Sequence, residues 1–365
     1  MDSKHRLVKI SFVFLRVFVL MSTAHAYSVS SRITSVNNIF PRSIPSPATL
    51  SAELTESITI GAQLAYDQCQ KAFKWDRWNC PEATFARPNK HAPTKEIAYA
   101  KAILSAGVVY TITKNCSRGE IDNCGCDSQL GGSMPVKMSG RSIDQAEFNR
   151  TESKKGEPVQ WAWGGCSDSS VYASQIAKNY LDDLETTENP QSVIHLHNNQ
   201  IGRDIVQETM IKRCVCHGVS GSCTLQTCWM QVASFDTIAQ KLKEKYKRSV
   251  QIAVESDNTA ADNPIVDIPE DSGRELIYLN DSPNYCKADN ATGIKGTKGR
   301  MCSRSKLKTA TMEEKRSCRN ICRSCGYRVR KQKIVVKERC NCAFKWCCEV
   351  KCDTCYKTVE ELRCE

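Results

Sequence analysis

Cys340-Asn341-Cys342-Ala343-Phe344-Lys345-Trp346-Cys347-Cys348-Glu349-Val350-Lys351-Cys352-Asp353-Thr354-Cys355 places six cysteines in sixteen residues. Outward from it the density persists: twelve of the chain's 22 cysteines lie between Cys286 and Cys364. Reducing cytosol gives so many thiols no use, whereas an oxidising compartment can pair an even number of them. Eleven disulfides and a secreted chain are expected. The apolar patterning of residues 286–365 is too sparse for a large core, so that part depends on cross-links for its stability.

The N-terminus carries a matching address. Lys4, His5, Arg6 and Lys9 form a basic start, Ile10 to Met21 is apolar apart from Arg16, and Ala24-His25-Ala26 supplies the small residues of a cleavage site. Residues 1–26 therefore read as a signal peptide. Ile97 to Thr113 is also apolar, but it carries Lys101 and falls short of the ~20 residues of a bilayer span, so it reads as a buried core helix. Sequons at Asn115, Asn149, Asn280 and Asn290 are candidate glycosylation sites.

About 340 mature residues exceed the size at which a single core stops growing. Residues 27–253 read as a helical N-terminal domain, 254–273 as a polar, acidic linker with Pro264 and Pro269, and 274–365 as a cysteine-rich C-terminal domain. The fold class is α+β and disulfide-rich, with cystine-tied hairpins. Leu54, Ile58, Ala62, Ala65, Cys69 and Ala72 recur at helical steps, as do Val171, Gln175 and Lys178 beside Tyr172, Ile176 and Tyr180, with Asp168 as N-cap. A further helix is expected through Leu225, Trp229, Val232, Phe235, Ala239, Leu242 and Tyr246, ending in the basic run Lys241 to Arg248. From Gly125 to Trp163 helical signal disappears, which reads as an insertion or loop. Tyr327 to Lys337 and Phe344 to Lys351 are β-rich runs, as in hairpins pinned by disulfides.

Arg213-Cys214-Val215-Cys216-His217-Gly218-Val219-Ser220-Gly221-Ser222-Cys223, followed by Thr227-Cys228-Trp229, holds four cysteines in fifteen residues. Such spacing ties off a compact hairpin with Ser220 at its tip. Three readings follow: a nucleophile with His217 as its base, an acceptor of a covalent modification, or a structural turn. The first fits poorly, because a nucleophile elbow needs G-x-S-x-G and its last glycine is here Ser222. The modification acceptor is the favoured reading.

This segment resembles the acylated hairpin of the Wnt family of secreted signalling proteins. Other stretches agree: Trp161-Ala162-Trp163-Gly164-Gly165-Cys166-Ser167-Asp168, His197-Asn198-Asn199 with Gly202-Arg203, Ser282-Pro283-Asn284-Tyr285-Cys286, and Cys340-Asn341-Cys342 with Trp346-Cys347-Cys348. The resemblance spans Leu54 to Cys364. It implies a mono-unsaturated sixteen-carbon acyl group on Ser220, attached by the acyltransferase Porcupine, with no catalysis and no cofactor. It implies the carrier Wntless during export and the cysteine-rich domain of Frizzled receptors as destination. Receptor contact would involve His217, Gly218, Val219 and Gly221 around the acyl group, and Phe344, Lys345, Trp346, Cys347 and Cys348 at a second tip. A tryptophan on a stiff vicinal-disulfide tip suits a binding hot spot; the alternative is that Trp346 covers cystines. The linker face would recruit a low-density-lipoprotein-receptor-related co-receptor.

The family's pairing would join Cys69 to Cys80, Cys116 to Cys124, Cys126 to Cys166, Cys214 to Cys228 and Cys216 to Cys223. In the second domain it would join Cys302 to Cys318, Cys322 to Cys364, Cys340 to Cys355, Cys342 to Cys352 and Cys347 to Cys348. Cys286 is left for Cys325, where the chain departs from the family's usual adjacent pair by the intervening Arg323 and Ser324. Residues 134–156 look inserted.

Two C-x-x-C pairs, Cys322 with Cys325 and Cys352 with Cys355, also permit a zinc ribbon. The secretory context favours disulfides, so no metal is expected. Lys287 to Lys351 holds nineteen Lys or Arg against five Asp or Glu, in a chain of net charge +11. Secretion excludes nucleic acid, leaving heparan sulfate as the polyanion such a surface would hold, or else a solvated face with no dedicated partner. The reading is a secreted, lipid-modified ligand. Competing classes are a serine hydrolase and a lipid-free, disulfide-rich matrix or inhibitor protein.

Overall fold

A computed structural model describes residues 50–86, 92–127, 160–163, 165–185, 190–217, 219–223, 225–255, 265–266, 269, 272–290, 292–346 and 349–365. The signal peptide, the 134–156 insertion, most of the linker, Asn149, Gly218, Cys347 and Cys348 lie outside the described residues.

Helix α1 (Ala52–Ala72) starts where the Ser51 side chain accepts from the Leu54 amide at 3.3 Å, and buries the expected stripe Leu54, Ile58, Ala62, Ala65 and Cys69. Helix α2 (Lys95–Arg118) is capped by Thr94 and closed by Gly119 in the left-handed conformation. It is buried nearly all round, because α1, α3 (Ser170–Asp182), α4 (Pro190–Glu208) and α5 (Phe235–Arg248) all pack on it. No described helix is long and apolar enough to cross a membrane.

Small residues permit this packing. A Cβ on Gly61 would lie 2.6 Å from the Gly107 carbonyl oxygen, and one on Gly202 would lie 2.8 Å from the Ala102 carbonyl carbon. Both obstacles are backbone, so neither can swing away. Gly202→Ala is expected to push α4 off α2 and cost at least about 2 kcal/mol, read as a lower thermal midpoint.

Buried charge also ties these helices. Lys101 of α2 pairs with Glu185, which follows α3, and Glu185 accepts or shares a hydrogen bond with His195 Nδ1 of α4 at 3.1 Å. All three are nearly inaccessible. Burial pushes the Glu185 carboxyl up, but His195 and Lys101 outweigh that and hold it below the usual range; burial likewise lowers Lys101 against the pull of Glu185.

Two expected helices need correction. Val171 is 66% exposed, and α3 instead buries Ser170, Ala173, Ala177 and Leu181, with Tyr172, Ile176 and Tyr180 partly buried beside them. The N-cap position belongs to Ser169, since Asp168 is engaged elsewhere. Leu225–Gln231 is a strand rather than the start of a helix, because cross-linking and pairing to β2 (Ile211–Cys216) override its helical spacing. The helix begins only at Phe235, where Ser234 caps the Thr237 amide.

The sheets are small. β1 (Gln160–Trp163) runs parallel to β3 (Leu225–Gln231), which is antiparallel to β2. β4 (Val250–Gln251) runs parallel to β7 (Ile277–Tyr278), and β5 (Val254–Glu255) pairs with β6 (Ile265–Val266). β8 (Met301–Cys302) flanks the end of a long ribbon made by β9 (Val329–Lys345) and β10 (Glu349–Cys364). The two expected β-runs thus belong to strands longer than their apolar stretches, and Phe344 to Lys351 spans the tip between them.

Ten disulfides occur among the described residues: Cys69–Cys80, Cys116–Cys124, Cys126–Cys166, Cys214–Cys228, Cys216–Cys223, Cys286–Cys325, Cys302–Cys318, Cys322–Cys364, Cys340–Cys355 and Cys342–Cys352. The four sulfurs of the two C-x-x-C pairs go to four different bonds, which removes the zinc-ribbon reading. Cystines also supply the second core, where Cys302, Cys318, Ile321, Cys322 and Cys364 are buried with Trp75, Tyr327, Val329 and Leu362 against them. Glu96 joins this region to the helices by accepting from Tyr246, Ser282 and Tyr285 hydroxyls at 2.7–3.0 Å. Arg300 donates to the carbonyls of Lys74 and Arg77.

Candidate receptor-binding site

The β2–β3 hairpin is braced twice. Cys214 and Cys228 sit directly opposite each other with Cα atoms 4.1 Å apart, and Cys216–Cys223 closes the loop beyond the ladder. Inside that loop the chain makes a single turn, Val219–Gly221, closed by the Ser222 amide donating to the Val219 carbonyl at 3.2 Å. Ser220 has φ +57° and Gly221 φ +76°. Two successive left-handed residues reverse the chain tightly, which glycine does freely and serine does at a cost.

The turn buries none of its side chains. Val219 is 90% exposed, and Ser220 and Gly221 stand in solvent with it. A hydroxyl so placed is open to a large acyl-transferring enzyme. His217 turns its Nε2 to the Thr227 hydroxyl across the hairpin at 2.9 Å, which engages it in holding the loop.

The base of the hairpin is locked by residues whose motif was visible but whose task was not. Asp168 accepts from Lys114 Nζ at 2.9 Å, Ser117 Oγ at 2.6 Å and the Val232 amide at 2.8 Å. The Met230 amide donates to Ser167 Oγ, and Gly165, at φ +80°, lies under Trp229, where a Cβ would come within 3.1 Å of the indole. The run of glycine, cysteine, serine and aspartate before α3 is therefore a clamp that aims the hairpin from the helical core.

A second tip lies on the ribbon. Phe344 faces Val350 and Lys345 faces Glu349 across the last pairs, and Trp346 beyond them is 94% exposed. Cys340–Cys355 and Cys342–Cys352 brace the strands below, where Asn341 at φ +48° and a register shift between Lys351 and Asp353 bend the ribbon. His217, Val219, Ser220 and Gly221 thus share one loop, and Phe344, Lys345 and Trp346 share a tip in a different sheet.

Of the sequons, Asn280 and Asn290 are exposed. Asn115 lies in the last turn of α2 and donates from Nδ2 to Ser57 Oγ at 2.9 Å.

Two tips projected into solvent by cystine-braced hairpins define a disulfide-rich ligand that acts by contact. The Wnt family profile matches residues 46–365, and the chain belongs to that family. It is 38% identical over 360 residues to Protein Wnt-8 of Xenopus laevis, covering 96% of this chain and 91% of the relative, and 38% identical over 320 residues to human Protein Wnt-8a, covering 85% of each. Among solved structures it resembles the chain in "Human WLS in complex with WNT8A", with TM-score 0.61, 36% identity, and coverage of 90% of this chain and 99% of that one. It is a Wnt-8-like signalling ligand of a secreted family, and not an enzyme.

Proposed function

We propose that Ser220 carries a mono-unsaturated sixteen-carbon acyl group, attached by Porcupine, and that this lipid and the Trp346 tip together bind the cysteine-rich domain of a Frizzled receptor. The observation that carries the reading is the presentation of Ser220: exposed, left-handed and fixed between two disulfides. An acyl chain of this length leaves water at ~0.8 kcal/mol per buried CH₂, so the free ligand needs a carrier during export. Wntless fits that role, as the human relative solved in complex with WLS supports. His217, Val219 and Gly221 surround the lipid attachment point, with Gly218 beside them in sequence. Phe344, Lys345 and Trp346 with Cys347 and Cys348 make the second contact.

A low-density-lipoprotein-receptor-related co-receptor completes a two-receptor complex, and heparan sulfate retains the basic ligand at cell surfaces. Asn115, Asn149, Asn280 and Asn290 are the proposed glycan positions. The test is mass spectrometry of the secreted protein on the fragment Cys214 to Trp229. A mass increment matching a sixteen-carbon mono-unsaturated ester on Ser220 is expected; unmodified Ser220 in receptor-active protein would overturn the reading.

Trp346→Ala removes an aromatic anchor without touching a core. Hot-spot truncations cost ~2 kcal/mol or more, so affinity for the Frizzled domain is expected to fall about thirtyfold while secreted yield holds. Biolayer interferometry on the purified proteins measures the affinity, and the amount of protein recovered from the medium measures the yield.

A further inference from the structure

Most residues of the ribbon β9–β10 are exposed, and two strands with neither face covered gain little from packing. The register sorts its side chains, since directly opposed residues share a face and successive ones do not. Val329 and Leu362 pack on the cystine core at the base, and their face continues through Lys331, Lys333, Lys337 and Arg339. At the base the reverse face turns away from that core. There β9 presents Arg330, Gln332, Ile334, Val336 and Glu338 in order, and β10 presents Glu361, Val359 and Lys357 opposite the middle three.

The order of signs on this reverse face is symmetric. Arg330 and Glu338 stand four residues to either side of Ile334, and Glu361 and Lys357 stand two residues to either side of its partner Val359. Opposite charges thus flank one apolar pair at equal distances on each strand. A two-fold axis crossing both strands at Ile334 and Val359 lays β9 on β9 and β10 on β10 in reversed direction, so Arg330 meets the copy's Glu338 and Glu361 meets its Lys357. Ile334 and Val359 then meet themselves, and Val336, 38% exposed, is covered with Val359, 37% exposed. Within one chain Arg330 holds Glu365 and Glu361 holds Arg363, whereas Glu338 and Lys357 have no ion pair among the described residues. The same operation on the first face sets Lys333 on Lys337 and Lys331 on Arg339, and like charges oppose it.

We propose that the reverse face of the ribbon is the interface of a homodimer, with a second copy of this chain stacked on it in reversed direction. The strip from Arg330 to Glu338 is about 27 Å long and two strands wide, less than the ~800 Å² per partner of a standard interface, so the dimer is weak and exchanges in solution. The Ser220 hairpin belongs to a different sheet, so this contact does not need the acyl group.

The test is sedimentation velocity of the acylated full-length protein over a concentration series, in a non-ionic detergent that shelters the acyl chain. Arg330→Glu and Glu338→Arg are run singly and as an equal mixture; both positions are exposed. Because a two-fold axis makes each contact twice, one substitution disturbs two pairs. Expected is a concentration-dependent dimer for the wild type, a dissociation constant at least about tenfold higher for either variant alone, and recovery in the mixture, where each chain supplies the sign the other lacks. A wild type that stays monomeric at every concentration overturns the inference. So does association unchanged in both variants, which assigns it to the lipid or the micelle, and so does a loss that the mixture fails to restore.

Discussion

Ser220→Ala is expected to lower affinity for the Frizzled cysteine-rich domain by about a thousandfold or more while leaving the hairpin folded. Burying even half of a sixteen-carbon chain at ~0.8 kcal/mol per CH₂ supplies ~6 kcal/mol, and every 1.4 kcal/mol is about tenfold. Ordering the chain in a groove offsets part of that, which is why the expected loss is smaller than the full conversion. The turn itself should tolerate the change, because it is closed by a backbone hydrogen bond and two disulfides that do not involve the hydroxyl. Interferometry against the immobilised receptor domain measures the loss, and a peptide map of the two cystines checks the fold. Retained affinity in the Ser220→Ala protein would remove the lipid from the mechanism.

The second large effect lies in the core. Glu185→Ala removes the carboxylate that pairs with Lys101 in a site where burial works against the ammonium charge. Removing one partner of a buried ion pair costs about 3–5 kcal/mol, a large share of a domain's stability, so thermal midpoint and secreted yield should both fall steeply. The double change Lys101→Met with Glu185→Leu removes both charges and should recover most of the loss. Recovery absent from the double variant would show that the site acts through packing rather than charge. The carboxyl of Glu185 is held low in the fold, so its contribution is complete above the ordinary glutamate pKa. It fades as pH falls through the lower folded value.

The α1 stripe was legible because one helical periodicity fitted it, and the buried Ile97 to Thr113 segment because its run is apolar on every face yet carries Lys101 and is too short for a bilayer. The 225–231 strand was not, since Leu225, Trp229 and Val232 satisfy helical steps while Thr227, Trp229 and Gln231 satisfy alternation; only the partner strand decides. Asp168 was visible as a helix-start residue, but its bonds to Lys114 and Val232 join segments far apart in sequence. The ribbon's length was hidden for another reason. With no buried face, Val335-Val336 and their polar neighbours show no alternation to mark a strand.

No disulfide of the described residues crosses residues 254–273: each joins cysteines on the same side of it. The helical half, with the hairpin that carries Ser220, can therefore be oxidised before the rest of the chain has entered the lumen. Closure of the second half waits for Cys364 to enter the lumen, because Cys322 pairs with it. A chain without Cys364 would carry its hairpin but also one thiol, that of Cys322, with nothing to close on. Cys364 thus completes the pairing of the second half, and quality control that traps unpaired thiols would retain a chain that lacks it.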